Sequence, residues 1–394
     1  MPWQGVSIVD QRHAFLTEVE ADVETLTALA ARYGISRKTA YYWIEQQRDG
    51  GRRALAGRSR RPHTSPRATA PAVIAQLVAA RQQHPSWGAG KLRAWLARRV
   101  PTQAWPCRDT IHQWLDRAGL VRSRRRSPRV TRATSLTTPT APNQVWTIDF
   151  KGQFRTGDGV LGYPLTVRDG YSRFVLACAG LPHVRTDATR TQCQRLFAIY
   201  GLPDRIRSDN GPPFASGGLA GLSRLAVWWL QLGIQPERIA PGCPGQNGAH
   251  EQFHRVLKHE TARPPAATWA AQQRRFARFL AEYNTERPHA ALANQPPAAQ
   301  YTPSRRALPA RLPDVIYPRG YEVRHVAAEG RIKWHRRRLF LTTALAGQDV
   351  GFEPIADGLW LVRFTTAPLA LFDERRWRLR SPTQAEDLLP MSSD

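Results

Sequence analysis

Three carboxylates stand out by their surroundings. Asp149 lies in the centre of the apolar run V-W-T-I-D-F at 145–150, where a lone carboxylate is costly to bury unless it is paired or metal-bound. Asp209 closes a short strand-like stretch, Arg205 to Ser208, and Asn210-Gly211-Pro212-Pro213 then break regular structure. Glu251 follows a Gly/Pro loop, Pro241 to Gly248, and falls in the first turns of a helix. Carboxylates on separate elements, with no matching Cys/His set, favour a hard cation such as Mg²⁺. Two such ions about 3.5–4 Å apart can hold both the attacking and the leaving oxygen of an in-line phosphoryl displacement. The plain alternative for Asp149 is a buried salt bridge, for instance with Arg173; the presence of Asp209 and Glu251 in that order favours metal.

A rival motif overlaps the third carboxylate. His250-Glu251-Gln252-Phe253-His254 reads H-E-x-x-H, the zinc-protease pattern, with two histidines as ligands and Glu251 as base. It opens a helix directly after a glycine loop instead of sitting within one. Its extended form fails, because Leu257 stands where glycine would be and Glu260 where histidine would be. Zinc proteolysis is therefore set aside.

The chain balances 57 Lys and Arg against 31 Asp and Glu, a formal net charge of +26 that calls for a polyanionic partner. The arginines cluster at 52, 53, 58, 60 and 61, at 122, 124, 125, 126 and 129, and at 336–338, which favours nucleic acid over a merely solvated surface. The four cysteines are scattered without C-x-x-C spacing, which argues for a reducing compartment and against a zinc ribbon. No apolar run long enough to span or target a membrane is present, so the expectation is a soluble, cytoplasmic protein.

The elements that must position these groups follow from periodicity. After a helical lead-in over residues 1–20, Leu26, Leu29, Ala30 and Tyr33 share one helix face. Gly34-Ile35-Ser36 makes a turn with Ser36 as N-cap, and a helix from Arg37 to Gln47 turns Ala40, Trp43 and Ile44 inward. This is a helix-turn-helix pattern in which Arg37, Lys38, Tyr41 and Tyr42 would face DNA; an ordinary helical hairpin is the alternative. A Pro/Ser/Arg linker covers Arg58 to Arg67. A second helical unit starts near Pro71, with Leu92, Trp95 and Leu96 on one face. Its last helix, after Pro106, carries Ile111, Trp114 and Leu115 inward, with Cys107 in the capping position and Gly119 at the end. Its exposed candidates are Arg108, His112 and Gln113, unless the unit only packs or dimerises.

From Asn143 the pattern turns to strands at Val145–Phe154, Tyr163–Arg168 and Arg173–Gly180, with Asp158 and Asp169 as turn residues. A helix from Asp187 (read as its N-cap) to Tyr200 follows. Then come strand 205–208, helix 219–232, strand 234–239, helix 248–261 and helix Trp269–Tyr283. After a Pro-punctuated connector at Leu308–Pro318, short alternating strands across 320–380 predict a small β-barrel. The resulting division is a helix-turn-helix domain at 1–62, a second such unit at 63–125, a basic linker at 126–141, an α/β core at 142–300, a linker at 301–319 and an all-β domain at 320–394.

Four stretches carry a family resemblance: W-T-I-D-F at 146–150, D-G-Y-S-R-F at 169–174, S-D-N-G-P-P-F at 208–214 and Q-N-G-A-H-E-Q-F-H-R-V-L-K at 246–258. With them the chain resembles a DDE transposase of a bacterial insertion sequence, with a retroviral-integrase-type core. The resemblance is close over 142–300 and looser on the flanks. It implies a ribonuclease-H-like fold and a catalytic and metal-binding triad of Asp149, Asp209 and Glu251. It also implies two Mg²⁺ ions, replaceable by Mn²⁺, and cleavage of transposon ends to leave a 3′-OH that attacks target DNA. The implied partners are double-stranded DNA and further copies of the chain in a dimer or larger assembly at the nucleoid. Lys258 projects from the Glu251 face of its helix and would touch phosphate, or simply be solvated. In related proteins a C-terminal β-domain contacts DNA; Trp334 and Arg336–Arg338 fit that role, and a cap on the core is the alternative. The interval from Asp209 to Glu251 is longer than is common in the superfamily, and the extra residues are placed in Ala215 to Ser223. A related integrase or nuclease, or a DNA-binding regulator with an inactive core, are the other functions considered; the intact triad argues against the last.

Overall fold

The computed structural model describes residues 7–56, 68–121 and 136–382. The linker 58–67 and the arginines expected to track phosphates at 58, 60, 61, 122, 124–126 and 129 lie outside the described residues. The chain divides into two compact units, Met1–Thr69 and Ala70–Asp394.

The first unit holds α1 (Ile8–Glu20), α2 (Leu26–Arg32) and α3 (Arg37–Ala54). Phe15, Leu16, Leu29, Ala30 and Ala40 form its centre, with Tyr33, Trp43 and Ile44 against it. The Ser36 hydroxyl caps α3 by accepting the Thr39 N–H at 3.1 Å. The helix runs past the expected end at Gln47, with Gly51 breaking its dihedrals at φ 59°.

The second unit begins with α4 (Pro71–Gln83), α5 (Ala89–Arg99) and α6 (Arg108–Arg117). Leu77, Trp87, Leu92, Trp95, Leu96, Ile111 and Leu115 pack together. Trp114, expected inward, is only half-buried, with the Arg117 guanidinium 4.8 Å from its ring. Cys107 forms no side-chain cap of the kind Ser36 gives α3, and its sulfur lies 3.2 Å from Thr110 Oγ1.

The core follows as β1 (Val145–Phe150), β2 (Phe154–Arg155), β3 (Leu161–Asp169), β4 (Val175–Leu181), α7 (Thr186–Tyr200), β5 (Arg205–Ser208), α8 (Arg224–Gln231), β6 (Gln235–Arg238), α9 (Gly248–Thr261) and α10 (Trp269–Thr285). β1 is antiparallel to β3 and parallel to β5, β5 is parallel to β6, and β4 pairs with β3. Trp146, Ile148, Leu165 and Ile206 of the sheet pack with Leu225, Trp228 and Trp229 of α8. Val175 and Cys178 pack with Phe253 and Leu257 of α9 and Phe276 and Phe279 of α10. Both faces of the sheet are thus covered, as a sheet with parallel pairs requires.

Three local expectations change. The strand read as 145–154 divides into β1 and β2. Arg185, without a side-chain bond, is the residue before α7, so Asp187 sits in the first turn and not at the cap. The helix read as 219–232 is a 3₁₀ turn at Leu219–Gly221 followed by α8, because the Ser223 hydroxyl caps α8 through the Ala226 N–H at 3.2 Å.

The C-terminal part comprises β7 (Glu322–His325), β8 (Arg331–Trp334), β9 (Arg337–Phe340), β10 (Asp349–Ala356), β11 (Leu359–Phe364), β12 (Ala367–Asp373) and β13 (Arg378–Arg380). It is an open antiparallel sheet in the order β13-β12-β11-β10-β7 with a β8–β9 hairpin, not the closed barrel expected. Its core includes Leu222, Ala226, Val227 and Leu230 from the α8 region, which offers an apolar wall in place of barrel closure. The extra residues after Asp209 form the base of that wall: Ala215 bridges to Leu222, and a Cβ at Gly218 would lie 2.8 Å from Thr342 Oγ1.

The α4–α6 helices are tied to α9, α10 and the segment after them by a polar seam. His84, stacked on Trp87 at 3.9 Å, meets Glu282 at 2.8 Å. Arg287 and Ser86 both bond Glu260, the former at 2.9 Å. The Trp95 indole donates to Glu286 at 3.2 Å, and Arg98 donates to the carbonyls of Glu286 and Asn294. This second helical unit therefore does pack on the core, while Arg108, His112 and Gln113 stay exposed on α6. Among the described residues no helix is long and apolar enough to cross a membrane.

Candidate active site

Asp149 is held on β1 directly opposite Thr166 of β3, and its side chain is 21% exposed. Asp209 follows β5, the parallel neighbour of β1, and its carboxylate accepts the Gly211 N–H at 3.2 Å across the break that starts there. Glu251 lies in the first turn of α9 and is exposed. Burial first, and then the Asp209 charge, push the Asp149 carboxyl up to about 7, and Glu251 acts in the same direction. Three elements thus aim carboxylates into one region, and the negative charges oppose one another there.

Lys258 and Glu251 line one cleft of about 350 Å³ with Lys151, Arg255 and Arg263. Lys151 comes from the β1 side, and its ammonium is held below the usual lysine range by burial and then by Lys258. A larger cleft of about 560 Å³ lies by the start of β1 and the loop before α9, with Gln246, Asn247, Arg173 and Arg207 in its wall. Gln246 there bonds back to the Ala240 N–H at 2.7 Å, and Arg207 is paired with Glu237 at 2.6 Å. The Asp149–Arg173 salt bridge considered from sequence does not occur; Asp149 faces His254 instead, at 3.7 Å.

The two histidines of H-E-x-x-H both turn into the protein. His250 is fully buried and His254 is 6% exposed. Both Nε2 atoms lie 2.7 Å from Thr166 Oγ1, and His250 Nδ1 lies 2.8 Å from Thr147 Oγ1. Burial, with the Lys151 and Arg168 charges behind it, pushes His254 down to about 3, so the ring is neutral. Asp149, His250 and His254 offer ligand atoms within 4.8 Å of one another. The signal for them was in the sequence: residues four apart share a helix face. The protease reading grouped Glu251 with them, whereas the histidines are buried and Glu251 is exposed in the cleft with Lys151 and Lys258.

Asp169, read as a turn residue, is fully buried and organises the β3–β4 hairpin by accepting from the Asn143 and Ser172 N–H groups and the Ser172 hydroxyl. Trp334 is 1% exposed, packed among Phe352, Trp360 and Phe372, so it cannot meet DNA. Arg336, Arg337 and Arg338 are exposed beside it. On α3, Arg37, Lys38, Tyr41 and Tyr42 are all exposed, the tyrosines by 55% and 42%.

Comparison with known proteins agrees with this architecture. Two models of the Integrase core domain match residues 139–244 and 232–297, a Helix-turn-helix domain matches 12–63 and a Homeodomain-like domain matches 39–115. The insertion element IS476 uncharacterized 39.2 kDa protein of Xanthomonas euvesicatoria is 31% identical over 251 residues, covering 62% of this chain and 69% of that one. The insertion element IS407 uncharacterized 31.7 kDa protein of Burkholderia multivorans is 29% identical over 223 residues, covering 56% and 77%. Among solved structures, a chain of the simian T-cell lymphotropic virus intasome is similar at 15% identity over 73% of this chain and 98% of that chain, with a TM-score of 0.37. The chain belongs to the family of bacterial insertion-sequence transposases with an integrase-type core. Its core is of the polynucleotidyl-transferase type, and its N-terminal helix-turn-helix domains are of a DNA-binding kind.

Proposed function

We propose that this protein cleaves transposon ends and joins them to target DNA, using Asp149, Asp209 and Glu251 as one metal-binding unit. The observation that carries the reading is the convergence of three carboxylates that repel one another, with none ion-paired to arginine or lysine among the described residues. That donor set fits hard divalent cations, a pair of Mg²⁺ ions with Mn²⁺ as a substitute. When bound, such ions stabilise the attacking and leaving oxygens of an in-line phosphoryl transfer.

The chain's own residues do the rest. Lys151 and Lys258 place positive charge along the cleft beside Glu251, where a DNA phosphate would lie. Arg37, Lys38, Tyr41 and Tyr42 of α3, in the domain at 1–62, present a face for the transposon end. Arg108, His112 and Gln113 of α6, in the unit at 63–125, present a second. The core at 142–300 would supply chemistry without sequence preference, with linkers at 126–141 and 301–319 and the β-domain from 320 to 394. Joining two ends requires at least a homodimer on the DNA, acting at the nucleoid in the cytoplasm.

Asp149→Asn, Asp209→Asn and Glu251→Gln keep size and remove one charge. Each is expected to bind a labelled element end in a gel shift like wild type, and to lose cleavage and joining by about a thousandfold or more. Near wild-type joining by any one of them removes that residue from the unit.

A further inference from the structure

The sequence offers two ways to hold a cation, a carboxylate triad and H-E-x-x-H, and the structure interleaves them at one atom pair. His254 Nδ1 and Asp149 Oδ2 stand 3.7 Å apart. That is too long for a hydrogen bond. Two ligands on one ion with bonds near 2.1 Å stand about 3.0 Å apart at 90° and about 3.4 Å at the tetrahedral angle, so an ion shared by these two atoms draws them together by a few tenths of an ångström.

The hydrogen bonds behind the ring decide what Nδ1 presents. The Thr166 hydroxyl reaches the Asp149 carbonyl at 3.0 Å. Its single hydrogen can serve only one of that carbonyl and the two imidazoles, each 2.7 Å away. Where that hydrogen goes to the carbonyl or to His250, the His254 Nε2 carries its own hydrogen and donates to Thr166. His250 is complete, since its Nδ1 lies 2.8 Å from the Thr147 hydroxyl, which can accept from the ring while donating to the Arg168 carbonyl at 3.2 Å. His254 is not: its Nδ1 lone pair faces a carboxylate oxygen. Two acceptors facing each other call for a cation between them. A metal-bound histidine characteristically donates its other ring N–H to a fixed acceptor, and Thr166 is that acceptor here.

We propose that His254 Nδ1 is a ligand of the ion held by Asp149, so that this position takes a borderline divalent transition cation in preference to Mg²⁺. The proposal rests on the carboxylate site described above and adds a nitrogen donor to it. Mg²⁺ is satisfied by oxygen, whereas imidazole favours transition ions. His250 is not a ligand but holds Thr166, and through it the His254 ring, in place. Glu251 stays on the exposed side of α9, so the arrangement is not that of a zinc protease.

The test is ion binding to the full-length protein without DNA. With one equivalent of Mn²⁺, pulsed electron paramagnetic resonance should show hyperfine coupling to an imidazole nitrogen in the unmodified chain. The coupling should vanish in His254→Gln and persist in His250→Gln. Co²⁺ affinity, read from visible absorbance, should fall about tenfold or more in His254→Gln. Mg²⁺ affinity, by calorimetry, should change less than about twofold. If Asp149→Asn loses Mn²⁺ but wild type shows no nitrogen coupling, the carboxylate site stands and His254 is not a ligand. Coupling that survives in His254→Gln and disappears in His250→Gln overturns the assignment as well. Mn²⁺ binding indifferent to both Asp149→Asn and Asp209→Asn removes the carboxylate site itself, and this proposal with it.

Discussion

Asp149, Asp209 and Glu251 are left without an arginine or lysine ion pair among the described residues, whereas Glu260, Glu282 and Glu286, on or just after α9 and α10, each hold a side-chain partner. Glu260 has Arg287 and Ser86, Glu282 has His84, and Glu286 has the Trp95 indole. The second set closes its electrostatics inside the chain and serves to fix the α4–α6 helices. The first leaves its repulsion open, to be relieved by something the chain does not contain. Charge on a helix does not by itself separate function from structure; what separates them is whether the fold supplies a side-chain hydrogen-bond donor to the carboxylate.

The contrast breaks most visibly at Arg287, whose side chain is 5% exposed. Arg287→Ala strips the partner from Glu260 and should lower stability by about 3–5 kcal/mol in urea unfolding. A loss below about 1 kcal/mol would place the seam with ordinary surface pairs. The acidic set should show the opposite sign. Without divalent ions, Asp149 titrates near 7 in the folded chain and near 3.8 when unfolded. The folded form then binds the extra proton, so the contribution is fully present below about pH 4 and is lost as pH rises through about 7. Melting in chelator should therefore fall over that range, and Asp149→Asn should flatten the slope and stabilise the chelated protein at pH 8 by about 1–3 kcal/mol. A steeper slope in the variant would show that Asp149 is compensated after all. The smallest effect belongs to Asp158, whose carboxylate serves only its own turn with Thr156 and Val160. Asp158→Asn should stay within about 0.5 kcal/mol of wild type and leave joining intact.

The core elements were largely legible because their periods are strict. V-W-T-I-D-F became β1, and the helix after the Gly/Pro loop runs from Gly248 to Thr261 as read. The errors have physical causes. Ile332 and Trp334 alternate with Lys333, which places both on one face of β8; that face is the core, so Trp334 was legible as buried and was misassigned by analogy. The seam was not legible, because Glu282 and Glu286 look like the solvent face of an amphipathic helix until α4–α6 pack there. His254 was visible in H-E-x-x-H, but which strand residue it faces depends on β1 lying opposite β3 in register.

One consequence lies in α8, a helix of two turns that is apolar all round. Leu225, Trp228 and Trp229 face the central sheet, while Ala226, Val227 and Leu230 belong to the core of the C-terminal sheet. A partition between two rooms cannot be kept when one room is demolished. A fragment ending near residue 300 would expose the second face of α8 to water and should aggregate, so the catalytic core is better isolated with its C-terminal sheet than without it.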